Sequence, residues 1–174
     1  GLELDGEIMI ENADQQVVVD LSECQTVQDV LNKISNSELY VKAVINEDGT
    51  GIDVINRVSG TYASVGENGS DLASRLGIRS LEADRRLSDL NFGKGVETRT
   101  GQADLHIVAG GASFDVDLDS AETVGDVITL INDAASLAGV DVEARLADIG
   151  NGIQFVDNTG GADPLRVERA NSSY

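Results

Sequence analysis

The chain has 174 residues, of which 41% are hydrophobic and 3% aromatic, so it can build one or two modest cores from aliphatic side chains. It carries 31 Asp and Glu against 12 Lys and Arg, a net charge of -19 that opposes binding to nucleic acid or to an anionic membrane. No apolar run approaches the length of a transmembrane helix. The single cysteine, Cys24, excludes an internal disulfide and is interpreted as a small core residue.

Two short β-prone runs open the chain, at residues 7–11 and 17–21, and the polar turn between them predicts an antiparallel hairpin. A helix is then predicted to start at Thr26. Its hydroxyl can accept a free main-chain N–H, and Asp29 lies in the positive first turn. The helix has one apolar stripe that should face the sheet: Val27, Val30, Leu31 and Ile34.

Two more strands are predicted at residues 39–45 and 51–56, followed by another near residues 62–65. The turn between the first two contains Asp48 and Gly49, a pair that supplies the positive φ of a tight hairpin. This part of the chain therefore reads β-β-α-β-β with a further strand.

A connector is predicted at residues 79–100, which contain mixed charges and a Gly-Lys-Gly turn. Before it, residues 70–76 predict a short helix capped by Ser70 and stopped by Gly77. Within it, residues 88–90 predict one further helical turn.

The second half of the sequence repeats the first. Residues 114–131 align without a gap with residues 17–34, and eight of these 18 paired positions are identical. After a short insertion, expected to fall in a loop, the match resumes between residues 41–56 and 142–157. A repeat of this length is a domain and not a solenoid unit. The identical pairs are Val19/Val116, Asp20/Asp117, Leu21/Leu118, Thr26/Thr123, Val27/Val124, Asp29/Asp126, Val30/Val127 and Ile34/Ile131.

The second copy consequently predicts the same elements, with strands at residues 103–108 and near residues 165–167 and a turn at residues 148–152. Its helix should begin behind Thr123 and Asp126 and bury Val124, Val127, Ile128 and Ile131.

The predicted class is α+β, with two tandem homologous β-β-α-β-β units, each an antiparallel sheet with one helix packed on it. The units are residues 1–78 and 101–174. The second stops before a counterpart of residues 70–78, so we interpret it as truncated at its C-terminus and the sequence as a piece of a longer chain.

Residues 101–135 and 139–161 resemble the "IN" motif of bacterial flagellins and hook-associated proteins. The marks are a DLHI strand, a Gly-Gly turn, VDL, TVGDV, and INDA at residues 131–134. The first copy is similar but reads Ile34-Ser35-Asn36 at the I-N position. The resemblance implies surface-exposed domains of an extracellular flagellar junction, cap or filament protein. Its partners would be flagellin and hook-associated proteins, contacted through regions outside this chain.

Catalytic residues are not indicated by the sequence. His106 is the only histidine and is predicted to lie in a strand, without partners for a triad. The glycines fit neither a phosphate-binding loop nor a dinucleotide fingerprint, so we interpret them as turn formers. The chain is therefore predicted not to be an enzyme and to need no cofactor.

Acidic loops offer oxygen atoms to calcium but not the spacing of a known calcium loop. One set is Asn46, Asp48 and Asp53, and the other is Asp148, Asp157 and Asp163. We interpret both as solvated turns and predict no metal site.

The sequence thus favours a structural, non-catalytic part of an extracellular flagellar protein, with a modular adhesin that binds host glycan or protein as the alternative. Because like charges repel and no heptad-patterned helix is present, we expect a monomer, or at most a weak dimer through an exposed strand edge.

Overall fold

The computed structural model of the protein describes residues 4–171. They form two compact units. Unit 1 extends to Leu81 and also contains the distant segment Ala147–Gly152, whereas unit 2 contains Glu82–Leu146 and the residues from Ile153 onward. In the described residues, no helix is both long enough and apolar enough to cross a membrane.

Unit 1 contains a four-stranded antiparallel sheet in the order β2-β1-β5-β9 and a separate β3-β4 hairpin. Helix α1 packs on β3, and the core between them is aliphatic. The elements are β1 (Glu7–Asn12), β2 (Gln15–Asp20), α1 (Val27–Ser35), β3 (Val41–Ile45), β4 (Ile52–Asn56), β5 (Ala63–Asn68), α2 (Leu72–Arg75) and, from the distant segment, β9 (Ile149–Gly150).

Unit 2 contains a three-stranded antiparallel sheet in the order β11-β6-β7 and a β8-β10 hairpin. Its long helix, α4, packs on β7 and β8. The elements are a 3-10 turn (Leu87–Asp89), a turn α3 (Leu90–Gly93) in which Asn91 and Phe92 have positive φ, β6 (Leu105–Ala109), β7 (Ala112–Val116), α4 (Val124–Ala138), β8 (Val142–Leu146), β10 (Ile153–Asp157) and β11 (Arg166–Arg169).

The predicted α+β class with antiparallel sheets is confirmed, and so is the pairing of β1 with β2. Both helix starts are confirmed as well. The Thr26 hydroxyl accepts the N–H of Asp29, and the Asp29 carboxylate accepts the N–H of Thr26, which is a complete capping box. Thr123 and Asp126 form the same arrangement at α4.

The prediction that both apolar stripes are buried was wrong at two positions. Val27 is 46% exposed, and Ile128 is only half-buried. Val124, the counterpart of Val27, is buried because the segment before β6 runs over the start of α4, where the Val124 N–H donates to the Arg85 carbonyl at 3.0 Å. Among residues 4–171, no main-chain segment hydrogen-bonds to the Val27 N–H at the start of α1 in this way.

The insertion in the second copy lengthens a helix and not a loop, contrary to the prediction. α4 has 15 residues where α1 has nine. Copy 2 continues past Ile131 with helix-compatible residues and stops at Gly139, which adopts the left-handed conformation at φ 67°. Copy 1 instead turns at Asn36, because Ser and Asn favour local turns over helix.

The predicted cap of α2 was right in one contact and wrong in its position. The Ser70 hydroxyl accepts the N–H of Leu72 at 3.4 Å, but Asp71 is the residue before the helix, and its side chain makes no capping bond. The Glu67 carboxylate supplies the main cap by accepting the N–H groups of Ala73 at 2.9 Å and Ser74 at 2.8 Å. Glu67 lies in β5, so this interaction depends on the folding of strand against helix.

Candidate functional site

His106 lies in β6, where it is paired with Asp115 of β7 on one side and with Glu168 of β11 on the other. Its Nδ1 is 2.6 Å from the Asp115 carboxylate, on an open sheet face where the two side chains are 37% and 60% exposed. Within the described chain, Asp115 is the residue whose side chain bonds the imidazole. The hydrogen bond to Asp115 orients the ring on this exposed face of the sheet.

Each of the two predicted sets of acidic loop residues contains one residue that supports a turn. Asn46 accepts the N–H groups of Thr50 and Gly51 at 2.8 and 3.1 Å and so holds the β3-β4 turn. Asp157 accepts both the hydroxyl and the N–H of Thr159, and these bonds lower the pKa of its carboxyl. Within residues 4–171, the acidic side chains that lie close together belong to neither set.

These acidic side chains are Asp104, Asp117 and Asp119, whose carboxylate oxygens lie within 4.8 Å of one another. Asp104 is buried at 5% exposure, and it already has donors: the Leu118 N–H on Oδ2 at 3.1 Å and the Asn171 amide on Oδ1 at 3.0 Å.

The Asp119 carboxylate accepts the Gly101 N–H. These bonds connect the residues just before β6 to the residues just after β7. The role of the Asp104 and Asp119 carboxylates in them is structural. No local sequence pattern indicates this cluster, because Asp104 approaches Asp117 and Asp119 only when β6 pairs with β7.

Cys24 is half-buried beside the aliphatic core of unit 1. Burial raises the pKa of its thiol, which disfavours the reactive thiolate. This environment agrees with the predicted packing role, although the residue lies at the margin of the core and not at its centre.

Unit 1 has a groove of about 590 Å³ between β2 and α1. Another groove, of about 540 Å³, has Gln15, Glu38, Tyr40 and Arg57 among its lining residues. Tyr40 is 70% exposed, and both Glu38 and Tyr40 have positive φ, at 65° and 53°, which costs energy in residues other than glycine.

A buried ion pair lies behind β5. Glu67 and Arg79 have side chains 2% and 5% exposed, with Arg79 Nη1 at 3.7 Å from Glu67 Oε1. Arg79 Nη2 donates to the Ala147 carbonyl at 2.9 Å, so the guanidinium holds the segment Ala147–Gly152 against β5. No sequence pattern indicates this arrangement, because Glu67, Arg79 and Ala147 lie in separate segments of the chain.

Comparison with known proteins gives no family: no family model matches the chain, and neither the curated proteins nor the solved structures contain a significant match. The fold and the individual residues therefore carry the functional argument.

Proposed function

We propose that the chain is a pair of homologous β-β-α-β-β domains exposed on an extracellular flagellar hook-associated or filament protein, with a structural and non-catalytic role. The support comes from the residues of the I-N motif, which perform a structural task. Asn132 of α4 donates its amide to the Ala144 carbonyl at 2.9 Å and accepts the Ala144 N–H at 2.7 Å, which fixes the helix to β8.

The first copy performs the same task with a different residue. Ser35 occupies the position of Asn132, and its hydroxyl accepts the N–H of Ala43, the counterpart of Ala144, at 3.0 Å. One motif position thus fastens helix to strand in both copies, although the side chain differs. Such a substitution is expected of duplicated scaffolds whose motif serves the fold and not a reaction.

Labelling in the source bacterium tests this proposal. Antibodies raised against the chain should decorate intact flagella in electron microscopy. Deletion of residues 7–167 from the full-length gene should leave export and assembly intact, because flagellar partners would be contacted elsewhere. Label confined to the cell wall or the cell interior would contradict the proposal, as would loss of assembly in the deletion strain.

An adhesin is the second candidate, and the Tyr40 groove is the observation in its favour. An exposed aromatic ring beside Gln15, Glu38 and Arg57 offers a stacking surface with polar groups around it, the chemistry that binds sugars. A glycan array distinguishes the two: binding that is lost in Tyr40→Ala but kept in Tyr62→Ala, an exposed tyrosine outside the groove lining, would favour the adhesin.

A further inference from the structure

Strand β2 is one edge of the four-stranded sheet of unit 1, and its outer side has no strand partner among residues 4–171. On an antiparallel edge, alternate residues turn their main-chain N–H and C=O groups outward, where another strand can bond them. Proteins usually protect such edges with charged residues, proline or a bulge.

β2 has no such protection along most of its length. Gln15 to Val19 contains no charge and no proline, and Val18 at its centre is 45% exposed. The second copy differs at this position. There β7 is also an edge strand, and Asp115 stands where β2 has Val18. At this aligned position, the edge strand of unit 2 thus carries a charge, whereas the edge strand of unit 1 carries an apolar residue.

The groove beside β2 leaves room for an added strand. It measures about 590 Å³ and is lined by Val17 to Asp20 of β2, by Cys24 and Ser37, and by residues of α1 that include Lys33. Asp20, Glu23 and Asp29 make one end of the groove acidic, which contributes to keeping the pairing weak. The hydroxyl of Ser37 is buried and has no hydrogen-bond partner in the described residues. An unpaired buried hydroxyl costs free energy that an incoming polar group can recover.

We propose that β2 is a self-association edge, which pairs antiparallel with β2 of a second copy about a two-fold axis at Val18. This register puts Val18 opposite Val18 and Gln16 opposite Asp20 of the second copy, so that an amide and not a carboxylate faces each acid. A register centred on Asp20 would bring two carboxylates together. The net charge of -19 on each copy keeps the dimer weak, and added salt strengthens it by screening.

Sedimentation velocity of the intact chain, from micromolar to millimolar concentration and at low and high sodium chloride, tests the proposal. It is independent of the flagellar assignment. The wild type should form a dimer that salt stabilises. Val18→Asp should raise the dimer Kd about tenfold or more, because it places two carboxylates opposite each other. Val27→Asp is the matched control, since Val27 is 46% exposed and the charge change is identical.

Cross-linking tests the register. In a Cys24→Ser background, Val18→Cys should oxidise to a disulfide dimer, because paired residues of antiparallel strands have Cα atoms about 5.5 Å apart, within disulfide range. Val27→Cys in the same background should form no disulfide-linked dimer. A chain that remains monomeric at all concentrations and salts would overturn the proposal. So would equal weakening by the two aspartate variants, or equal cross-linking by the two cysteine variants.

Discussion

Gly66 of β5 and Gly150 of β9 lie so close that a Cβ on Gly66 would be less than 3.0 Å from the Gly150 carbonyl. Main chain meets main chain at this point, and no side chain fits between. The approach permits the short ladder between β5 and β9, in which Glu67 pairs with Gly150 and Asn68 with Ile149. Glycine at position 66 is therefore required by space and not by backbone conformation.

Gly66→Ala should destabilise the protein by about 1–3 kcal/mol, because the added methyl must push one main chain away from the other. The free energy of unfolding from urea titration measures the effect. Gly152→Ala is the control, since nothing lies within 4 Å of a Cβ there. Equal stability of the two variants would show that the β9 segment moves aside freely.

Glu67→Ala should cost about 3 kcal/mol or more, because it removes the cap of α2 and leaves the Arg79 guanidinium buried without its carboxylate. Asp71→Ala, which breaks the exposed pair with Arg75 on α2, should cost about 1 kcal/mol or less. Chemical-denaturation midpoints compare them. Similar losses would contradict the buried role assigned to Glu67.

Val30→Asp should cost several kcal/mol, since Val30 is 1% exposed and the change puts a charge into the aliphatic core. Val27→Asp on the same helix should be nearly neutral, because the side chain is in water and a first-turn acid is favourable there. An unchanged urea midpoint for Val30→Asp would refute the packing of α1 on its sheet.

Asp29 and Asp126 should make stability depend on pH in acid. Hydrogen bonds from the Thr26 and Thr123 hydroxyls and from nearby main-chain N–H groups lower the pKa of each carboxyl from its ordinary value. A lowered folded-state pKa stabilises the protein once the unfolded carboxyl is ionised, and this stabilisation disappears as pH falls through the lowered value.

The urea midpoint of Asp126→Asn should therefore lie below that of the wild type at roughly pH 6, and the difference should shrink as the pH falls to roughly 2. Asp133→Asn is the control, because Asp133 is exposed on the same helix outside the capping box. A deficit of constant size across this range would contradict a charge-dependent cap.

Calcium should not stabilise the chain specifically. The buried Asp104 carboxylate in the acidic cluster is already bonded to main-chain and amide donors. The Tm in calcium and the Tm in a chelator should differ by no more than the change that monovalent salt produces at equal ionic strength. A calcium-specific rise of several degrees would reverse this and identify Asp104, Asp117 and Asp119 as ligands.

The sequence by itself determined the features that depend on neighbouring residues. Thr26 with Asp29 and Thr123 with Asp126 set the helix starts, because a capping box closes within four residues. The β1-β2 hairpin and the Gly49 turn were predictable for the same reason, since turn chemistry and alternation are local. The sequence repeat also aligned Thr26 with Thr123 and Asp29 with Asp126, which form the same capping box.

Only the tertiary structure decided the features that join distant parts of the chain. Val27 and Val124 are the same residue at the same place in their helices, yet Val27 is exposed and Val124 is buried. The difference arises because the segment before β6 lies over the start of α4. The cap that Glu67 gives to α2, its ion pair with Arg79, and the Asp104 cluster all depend on strand pairing or packing. Such contacts form only when the core brings separate segments together, and no local pattern encodes them.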